Sequence, residues 1–265
     1  MADRRHRPAR VAMPERPPRE RSADFGEVNL GYDLAQAVTE ASRCIACRRP
    51  PCVDGCPVGL DIPAVVGLLR LGDLEGAAAV VGMDNALPAV CGRVCPQEHQ
   101  CEGACVLGRK HQPVAIGAIE RFVGDWALAH EAPRPTVEPS GRRVAVVGSG
   151  PAGLACAGDL ARSGHAVTVF EALHTPGGVL VYGIPEFRLP KRIVSDEIER
   201  LASLGVDIVT DAVIGAAESV EDLLDTFDAV FLGLGAGLPR FLGIAGEDLV
   251  GVYSANEFLT RVNLM

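Results

Sequence analysis

Eight of the nine cysteines lie between Cys44 and Cys105, in two blocks. The first reads Cys44-x2-Cys47-x4-Cys52-x3-Cys56-Pro57, the second Cys91-x3-Cys95-Pro96 followed by Cys101-x3-Cys105. Short spacings let successive thiolates converge on one small inorganic cube, while a cysteine stiffened by a following proline points away toward a second group. Three other uses of so many thiols compete. Disulfides suit a secreted chain, but no signal peptide precedes the block and a nucleotide-binding pattern follows it. Zinc fits the Cys44-x2-Cys47 pair, yet zinc uses paired knuckles, and the x4, x3 and x5 gaps do not pair that way. Unconnected core cysteines do not cluster at this density. Two [4Fe–4S] clusters are the expected occupants.

The first block also resembles the bacterial ferredoxin run, in which three close thiolates hold one cluster and the fourth reaches its neighbour. The composition sets outer limits. A chain of 265 residues with 48% hydrophobic content has room for one large or two ordinary folded domains. A net charge of −9 and 5% aromatic residues argue against nucleic acid or an anionic membrane as the main partner. No apolar run reaches membrane-spanning length. Free thiolates require a reducing compartment, so the cytoplasm is expected.

Residues 1–24 hold seven arginines against four acids, with Pro8, Pro14, Pro17 and Pro18 breaking any long helix. They read as a flexible arm or a strap over a partner. A helical iron–sulfur domain follows over 25–130. Its first helix is expected from Tyr32 to Cys47, with Leu34, Val38, Ala41 and Ile45 on the apolar face and Cys44 delivered at the end. Asp61 and Asp73 are the caps of two spacer helices, the second ending at Asn85 and Pro88. Pro113 is expected to start a helix to about His130, with Ile116, Ile119, Val123 and Trp126 as its apolar face. Glu120 falls one turn from Ile116 and so points toward the cysteines. An edge position, reaching water or an arginine, is the competing reading.

Residues 131–141 contain three prolines and no periodicity, and read as a linker. Beyond it, over 142–265, lies an α/β Rossmann-like domain. A buried parallel strand at Arg143–Val147 runs directly into Gly148-Ser-Gly150-Pro-Ala-Gly153, a helix expected from Pro151 to Ser163, and a second strand expected from Ala166 to Phe170 with Glu171 at its end. In that context Gly148 makes the tight turn, Gly150 lets backbone approach a pyrophosphate, and Gly153 lets helix pack on strand. Glu171 is placed to accept from a ribose hydroxyl, which favours FAD or NAD over NADP. Gly177 and Gly178 allow a second close backbone approach. Strands are expected at 206–210 and 229–232, and a helix at 190–204. Cys156 falls inside the first helix and reads as core. No acid–base or nucleophile pair presents itself as catalytic.

Taken together these residues resemble the small (β) subunit family of NADPH-dependent glutamate synthase. Its relatives include the large subunit of NADH-dependent ferredoxin:NADP oxidoreductase and the N-terminal part of dihydropyrimidine dehydrogenase. The matching text includes Phe25-Gly-Glu-Val-Asn-Leu-Gly-Tyr32, both cysteine blocks, Pro113-Val-Ala-Ile-Gly117, the glycine fingerprint and Gly183-Ile-Pro-Glu-Phe-Arg-Leu-Pro-Lys191. The resemblance implies one cluster on Cys44, Cys47, Cys52 and Cys105. It implies the other on Cys56, Cys95, Cys101 and an oxygen of Glu120, leaving Cys91 a non-ligand, whereas counting thiols alone assigns eight cysteines to eight sites. It further implies FAD on Gly148, Gly150, Gly153, Glu171, Gly178, Val179 and Arg188, and NADP(H) as cofactor of the full-length parent. The implied partner is the glutamate synthase large subunit or a ferredoxin-type acceptor, in an oligomeric complex. Family members carry a further NAD(P)H module beyond the point matching Met265. The expectation is therefore an α+β relay protein, truncated before that module, that does not oxidise NADPH alone.

Overall fold

The computed structural model describes residues 9–130 and 137–264. The chain divides into two compact units, Met1–Pro133 and Arg134–Met265. The α+β organisation expected from the sequence is present: helices in the first unit, helices around a parallel sheet in the second.

The first unit contains α1 (Pro18–Arg21), α2 (Leu34–Ala41), α3 (Pro51–Asp54), α4 (Ile62–Leu71), α5 (Leu74–Asp84), α6 (Pro88–Val94) and α7 (Ile116–Ala129). Asp61 accepts from the Ala64 amide at 3.1 Å and Asp73 from the Gly76 amide at 2.8 Å, so both expected caps are made. Three boundaries differ from the sequence reading. The first helix stops at Ala41, so Cys44 sits in a turn rather than on a helix. Ala46 there takes a left-handed φ of 49°, which a right-handed helix cannot include. The buried face of α2 is Ala37, Glu40 and Ala41, while Leu34 and Ile45 are exposed. Pro88 opens α6 rather than only closing α5, because proline at the first helical position forfeits no intrahelical bond. The helix expected from Pro113 begins at Ile116, since the Gln112 and Pro113 carbonyls accept from Arg43 instead.

Two close approaches place the cysteine-bearing α6 on α7. A Cβ on Gly92 would lie 2.3 Å from the Arg121 nitrogen, and one on Gly124 would lie 2.6 Å from the Ala89 nitrogen. Only hydrogen side chains allow that packing. Beneath it the core is aliphatic, built from Val65, Val66, Leu69, Val81, Ile116, Ile119 and Val123.

A flexible arm was one expectation for residues 1–24. Residues 1–8 lie outside the described residues, and residues 9–24 fold back as a strap. Glu15 bridges Asn29, the Leu30 amide donates to Pro14 O at 2.8 Å, and the Tyr32 hydroxyl donates to Val11 O at 2.5 Å. Arg10 pairs with Glu102 at 2.7 Å, and the Val11 amide donates to Glu40 at 2.7 Å. The acids that hold the strap are buried partners distant in sequence, which local composition does not register.

Of the expected linker, residues 131–136 lie outside the described residues, and 137–141 form no regular element. The second unit contains β1 (Arg143–Val147), α8 (Pro151–Arg162), β2 (Ala166–Phe170), α9 (Val179–Tyr182), α10 (Lys191–Ala202), β3 (Val206–Val209), α11 (Val220–Thr226), β4 (Ala229–Leu232) and α12 (Ala255–Leu264). The sheet order is β3-β2-β1-β4, all parallel. That is one half of a doubly wound sheet, in which ligands bind beyond the carboxyl ends of the central strands. Val144 to Val147 are buried on both faces, the pattern of a central parallel strand. No helix among the described residues is long and apolar enough to cross a membrane.

Candidate cofactor sites

Cys44, Cys47, Cys52 and Cys105 line one open pocket. Its remaining wall is carbon, with Ile62, Val66, Leu107 and Ile116 among the lining residues. Cys44 and Cys47 come from the turn after α2, Cys52 from α3, and Cys105 from the far end of the second block. Burial pushes the Cys52 thiol up to about 11, with Cys105 and then Cys44 adding to the shift. Burial also raises Cys47, followed by Cys44 and Cys105. Each thiol therefore senses the same neighbours. Among the described residues no three His, Cys, Asp or Glu side chains close on a single metal-ion position. Four sulfurs spread around a carbon-walled space suit a multi-iron group better than one zinc held at about 2.3 Å from each sulfur.

The other sulfurs gather elsewhere in the unit. Cys101 is buried, and burial pushes its thiol up to about 12, with Glu120, Glu102 and Cys56 contributing next. Cys91, in the middle of α6, and Cys95, its C-cap, stand one turn apart. The hydrogen bond between them holds Cys95 down at about 7 and raises Cys91. Glu120 is 8% exposed, so the inward orientation read from the sequence is observed and the water-reaching alternative is not. Burial lifts its carboxyl to about 7, against a lowering by its hydrogen bond with Asn85. That partner was not legible beforehand. Asn85 Nδ2 donates to Glu120 Oε1 at 2.7 Å, while Asn85 Oδ1 accepts from the Leu87 amide at 2.9 Å and lies 3.5 Å from Cys91 Sγ. In sequence Asn85 shows only as a helix stop.

Burial disfavours the charged forms of most of these ligand-type groups, and a cationic cluster is the partner that would reverse the penalty. A buried frame holds the segments in place. Glu40 accepts from the Val11 and Ala115 amides at 2.7 and 2.8 Å and pairs with Arg43 at 2.5 Å. Glu102, between Cys101 and Cys105, accepts from the Gly117 amide at 3.1 Å.

In the second unit the expected nucleotide loop forms at the end of β1. Gly148 has φ 97°, and a Cβ there would lie 2.5 Å from Gly233 O. A Cβ on Gly153 would lie 1.9 Å from Gly148 O. At Gly150, the N-cap of α8, a Cβ would meet nothing within 4 Å. Two of these glycines are demanded by the protein's own backbone, and the third faces open space at a helix N-terminus, where phosphate binds. The fold brings Gly178 to this point: its φ is 54°, and a Cβ would sit 2.9 Å from Gly150 Cα. Val179 follows at the start of α9, and Arg188 is exposed on the loop beyond it. The residues present thus fit a dinucleotide's pyrophosphate.

Glu171 is buried and already engaged. Its Oε2 accepts from the Ser149 amide at 3.0 Å and from the Ser149 hydroxyl, and its Oε1 accepts from the Leu173 amide at 2.9 Å. A carboxylate offers about four lone-pair sites, so one remains for a ribose hydroxyl. Ser149 Oγ also accepts from the Gly177 amide at 2.8 Å. One side chain thereby joins the fingerprint loop, the end of β2 and the second glycine turn. Lys191 Nζ donates to Leu180 O at 3.2 Å and to Ile184 O, closing the loop between α9 and α10.

A helical unit with two groups of cysteines and a parallel α/β unit with a dinucleotide loop place the chain in an oxidoreductase family that pairs an iron–sulfur domain with a pyridine-nucleotide domain. Residues 21–132 match the family model described as dihydropyrimidine dehydrogenase domain II, 4Fe-4S cluster, and residues 142–263 match pyridine nucleotide-disulphide oxidoreductase. Over nine-tenths of its length the chain is a homologue of the NADPH glutamate synthase small chains. It is 38% identical to that of Escherichia coli (strain K12) over 252 residues, 94% of this chain and 53% of the relative. It is 42% identical to that of Mycobacterium tuberculosis (strain H37Rv) over 245 residues, 92% of this chain and 50% of the relative. The Escherichia coli protein AegA, named an oxidoreductase, is 40% identical over 243 residues, 90% of this chain and 37% of the relative. The chain spans about half the length of the small chains it matches.

Proposed function

We propose that this chain is the electron-relay portion of an NADPH-dependent glutamate synthase small subunit, with two [4Fe–4S] clusters in an iron–sulfur domain at 25–130, a linker at 131–141 and FAD in a domain at 142–265. The observation that supports it most directly is the sorting of the sulfurs. Cys44, Cys47, Cys52 and Cys105 share one cavity, while Cys56, Cys95 and Cys101 gather with Glu120. In this reading those are the two ligand sets. Cys91 stands beside the second set, held by Asn85 and Cys95, and is not a ligand.

When bound, FAD accepts an electron pair and releases it singly, and the clusters pass single electrons on. The chain's own residues bind and orient. Val66, Leu107 and Ile116 keep water from the first sulfur group, which sets the dielectric around it. Asn85 fixes one oxygen of Glu120 and leaves the other for iron. Gly148, Gly150 and Gly153 would cradle the pyrophosphate, Gly178 and Val179 would supply a second backbone contact, Glu171 would take the ribose, and Arg188 would bind the same cofactor. The partner is a large subunit that forms glutamate, in the cytoplasm, with NADP(H) as the parent enzyme's hydride carrier. The AegA match, at 40% identity, favours a second reading in which the same relay serves another terminal acceptor. Assay of the assembled complex with glutamine and 2-oxoglutarate, against ferredoxin, separates the two.

The test of the relay is anaerobic purification with iron, acid-labile sulfide and flavin assays, followed by EPR of two variants. Glu120→Ala is expected to alter one cluster's signal and Cys91→Ala to leave both unchanged. A preparation without iron ends the proposal; the reverse pattern of signals ends the ligand assignment.

A further inference from the structure

We propose that Asn85 selects the last ligand of the second sulfur group: it holds the Glu120 carboxylate in the ligand position and the Cys91 thiol out of it, so that Cys91 takes that position once the selection is removed. The inference rests on the assignment of Glu120 as a ligand above and adds the side chain that decides between the two candidates. Three elements converge on one buried amide: Asn85 closes α5, Cys91 lies in α6 and Glu120 on α7. The Leu87 amide donates to Asn85 Oδ1 at 2.9 Å. A backbone N–H only donates, so this bond fixes which end of the Asn85 side chain is oxygen. Nδ2 therefore faces Glu120, and it donates to Oε1 at 2.7 Å. Oδ1 faces Cys91, whose S–H donates to it at 3.5 Å.

Each end of the amide acts on one candidate. The donor end aligns a carboxylate. The acceptor end suits a thiol that keeps its hydrogen and opposes a thiolate, the form that binds iron. A selector is needed because the unaided preference runs the other way. Thiolate is the softer ligand and the usual one for iron–sulfur clusters, while carboxylate suits harder ions. Cys91 is also in place to bind. The Cys95 amide donates to Cys91 O at 3.0 Å, so the two residues stand one helical turn apart on the same side of α6, and Cys95 belongs to this ligand set. Exchange of the two candidates balances within the chain: Cys91 gives up one proton on binding iron, the released Glu120 carboxylate takes it, and no electron moves.

The test uses the full chain, reconstituted anaerobically with iron and sulfide, and reads iron per chain and the EPR signal of each reduced cluster. Asn85→Ser keeps a hydroxyl for the Leu87 amide but is too short to reach Glu120. It is expected to hold as much iron as wild type, with one cluster's signal changed and the other intact. Adding Cys91→Ala is expected to return that signal to its wild-type form, since Glu120 is then the sole candidate. Removing a second side chain would not repair a merely structural loss. Glu120→Ala is expected to keep its iron, whereas Glu120→Ala combined with Cys91→Ala is expected to lose about half of it, one cluster of two. An unchanged signal in Asn85→Ser, or a changed one that persists when Cys91 is also replaced, would overturn the proposal. So would equal iron in Glu120→Ala with and without Cys91, a comparison that stands even where Asn85→Ser does not fold. Cys91→Ala alone altering a signal, or Glu120→Ala altering neither, strikes the ligand assignment itself and the proposal with it.

Discussion

Gly150→Ala and Gly153→Ala are the same chemical change three residues apart, and the structure predicts opposite consequences. At Gly153 the new methyl would lie 1.9 Å from Gly148 O and 3.0 Å from Gly148 C, both backbone atoms of the tight turn. Neither can rotate aside, so α8 must shift from β1. Overpacking of a rigid site costs about 1–3 kcal/mol and sometimes more, and this contact is at the severe end. At Gly150 φ is −66° and ψ 178°, a conformation any residue adopts, and the methyl meets nothing within 4 Å. Folding should be unharmed there, or stabilised by about 0.4–1 kcal/mol through the unfolded chain. Binding should suffer instead, because the open space is where the pyrophosphate approaches. Losing one hydrogen bond to a charged phosphate, worth about 1.5–3 kcal/mol, weakens FAD binding roughly ten- to a hundredfold. Thermal unfolding of the flavin-free protein and FAD fluorescence titration read the two effects separately. If Gly150→Ala lowers the Tm of the flavin-free protein, or binds FAD like wild type, the assignment of that space to the cofactor is wrong.

Three further outcomes follow from the geometry. Glu40→Ala removes the carboxylate that pairs with the buried Arg43, whose bonds to the Gln112 and Pro113 carbonyls remain, and the acceptor for two amides, so unfolding free energy should fall by about 3–5 kcal/mol in denaturant titration. A loss under 1 kcal/mol would mean the frame does not hold the cysteine segments. Ser149→Ala removes the hydroxyl bond to Glu171 and the acceptor of the Gly177 amide, while the backbone bonds to Glu171 remain, and should weaken FAD binding by about 1.5 kcal/mol, near tenfold in Kd; unchanged affinity counts against Ser149 as the positioning residue. Asn85→Asp keeps the oxygen that accepts from Leu87 but loses the donor to Glu120, so it should shift the EPR signal of one cluster and spare the other. An identical change in both signals would point to general unfolding of the helices.

Much of this protein is written in short stretches of sequence, because the forces concerned act over a few residues. The cysteine spacings, the Asp61 and Asp73 caps and the strand–glycine turn–helix–strand of the second unit are local geometry. β1, β2 and β4 fall at their expected bounds, with α8 one residue shorter than read. Tertiary structure decided what depends on distant partners. Cys105 joins Cys44, Cys47 and Cys52 only because the helices between them fold back. Glu120 turns from an ambiguous edge residue into a buried acceptor only because Gly92 and Gly124 let α6 and α7 touch. The strap is held by Glu40 and Glu102, and the Glu171 carboxylate by Ser149 and Leu173. Those are hydrogen bonds and ion pairs between residues far apart in the chain, made worthwhile by burial, and no periodicity or spacing in a single sequence encodes which distant group will supply the partner.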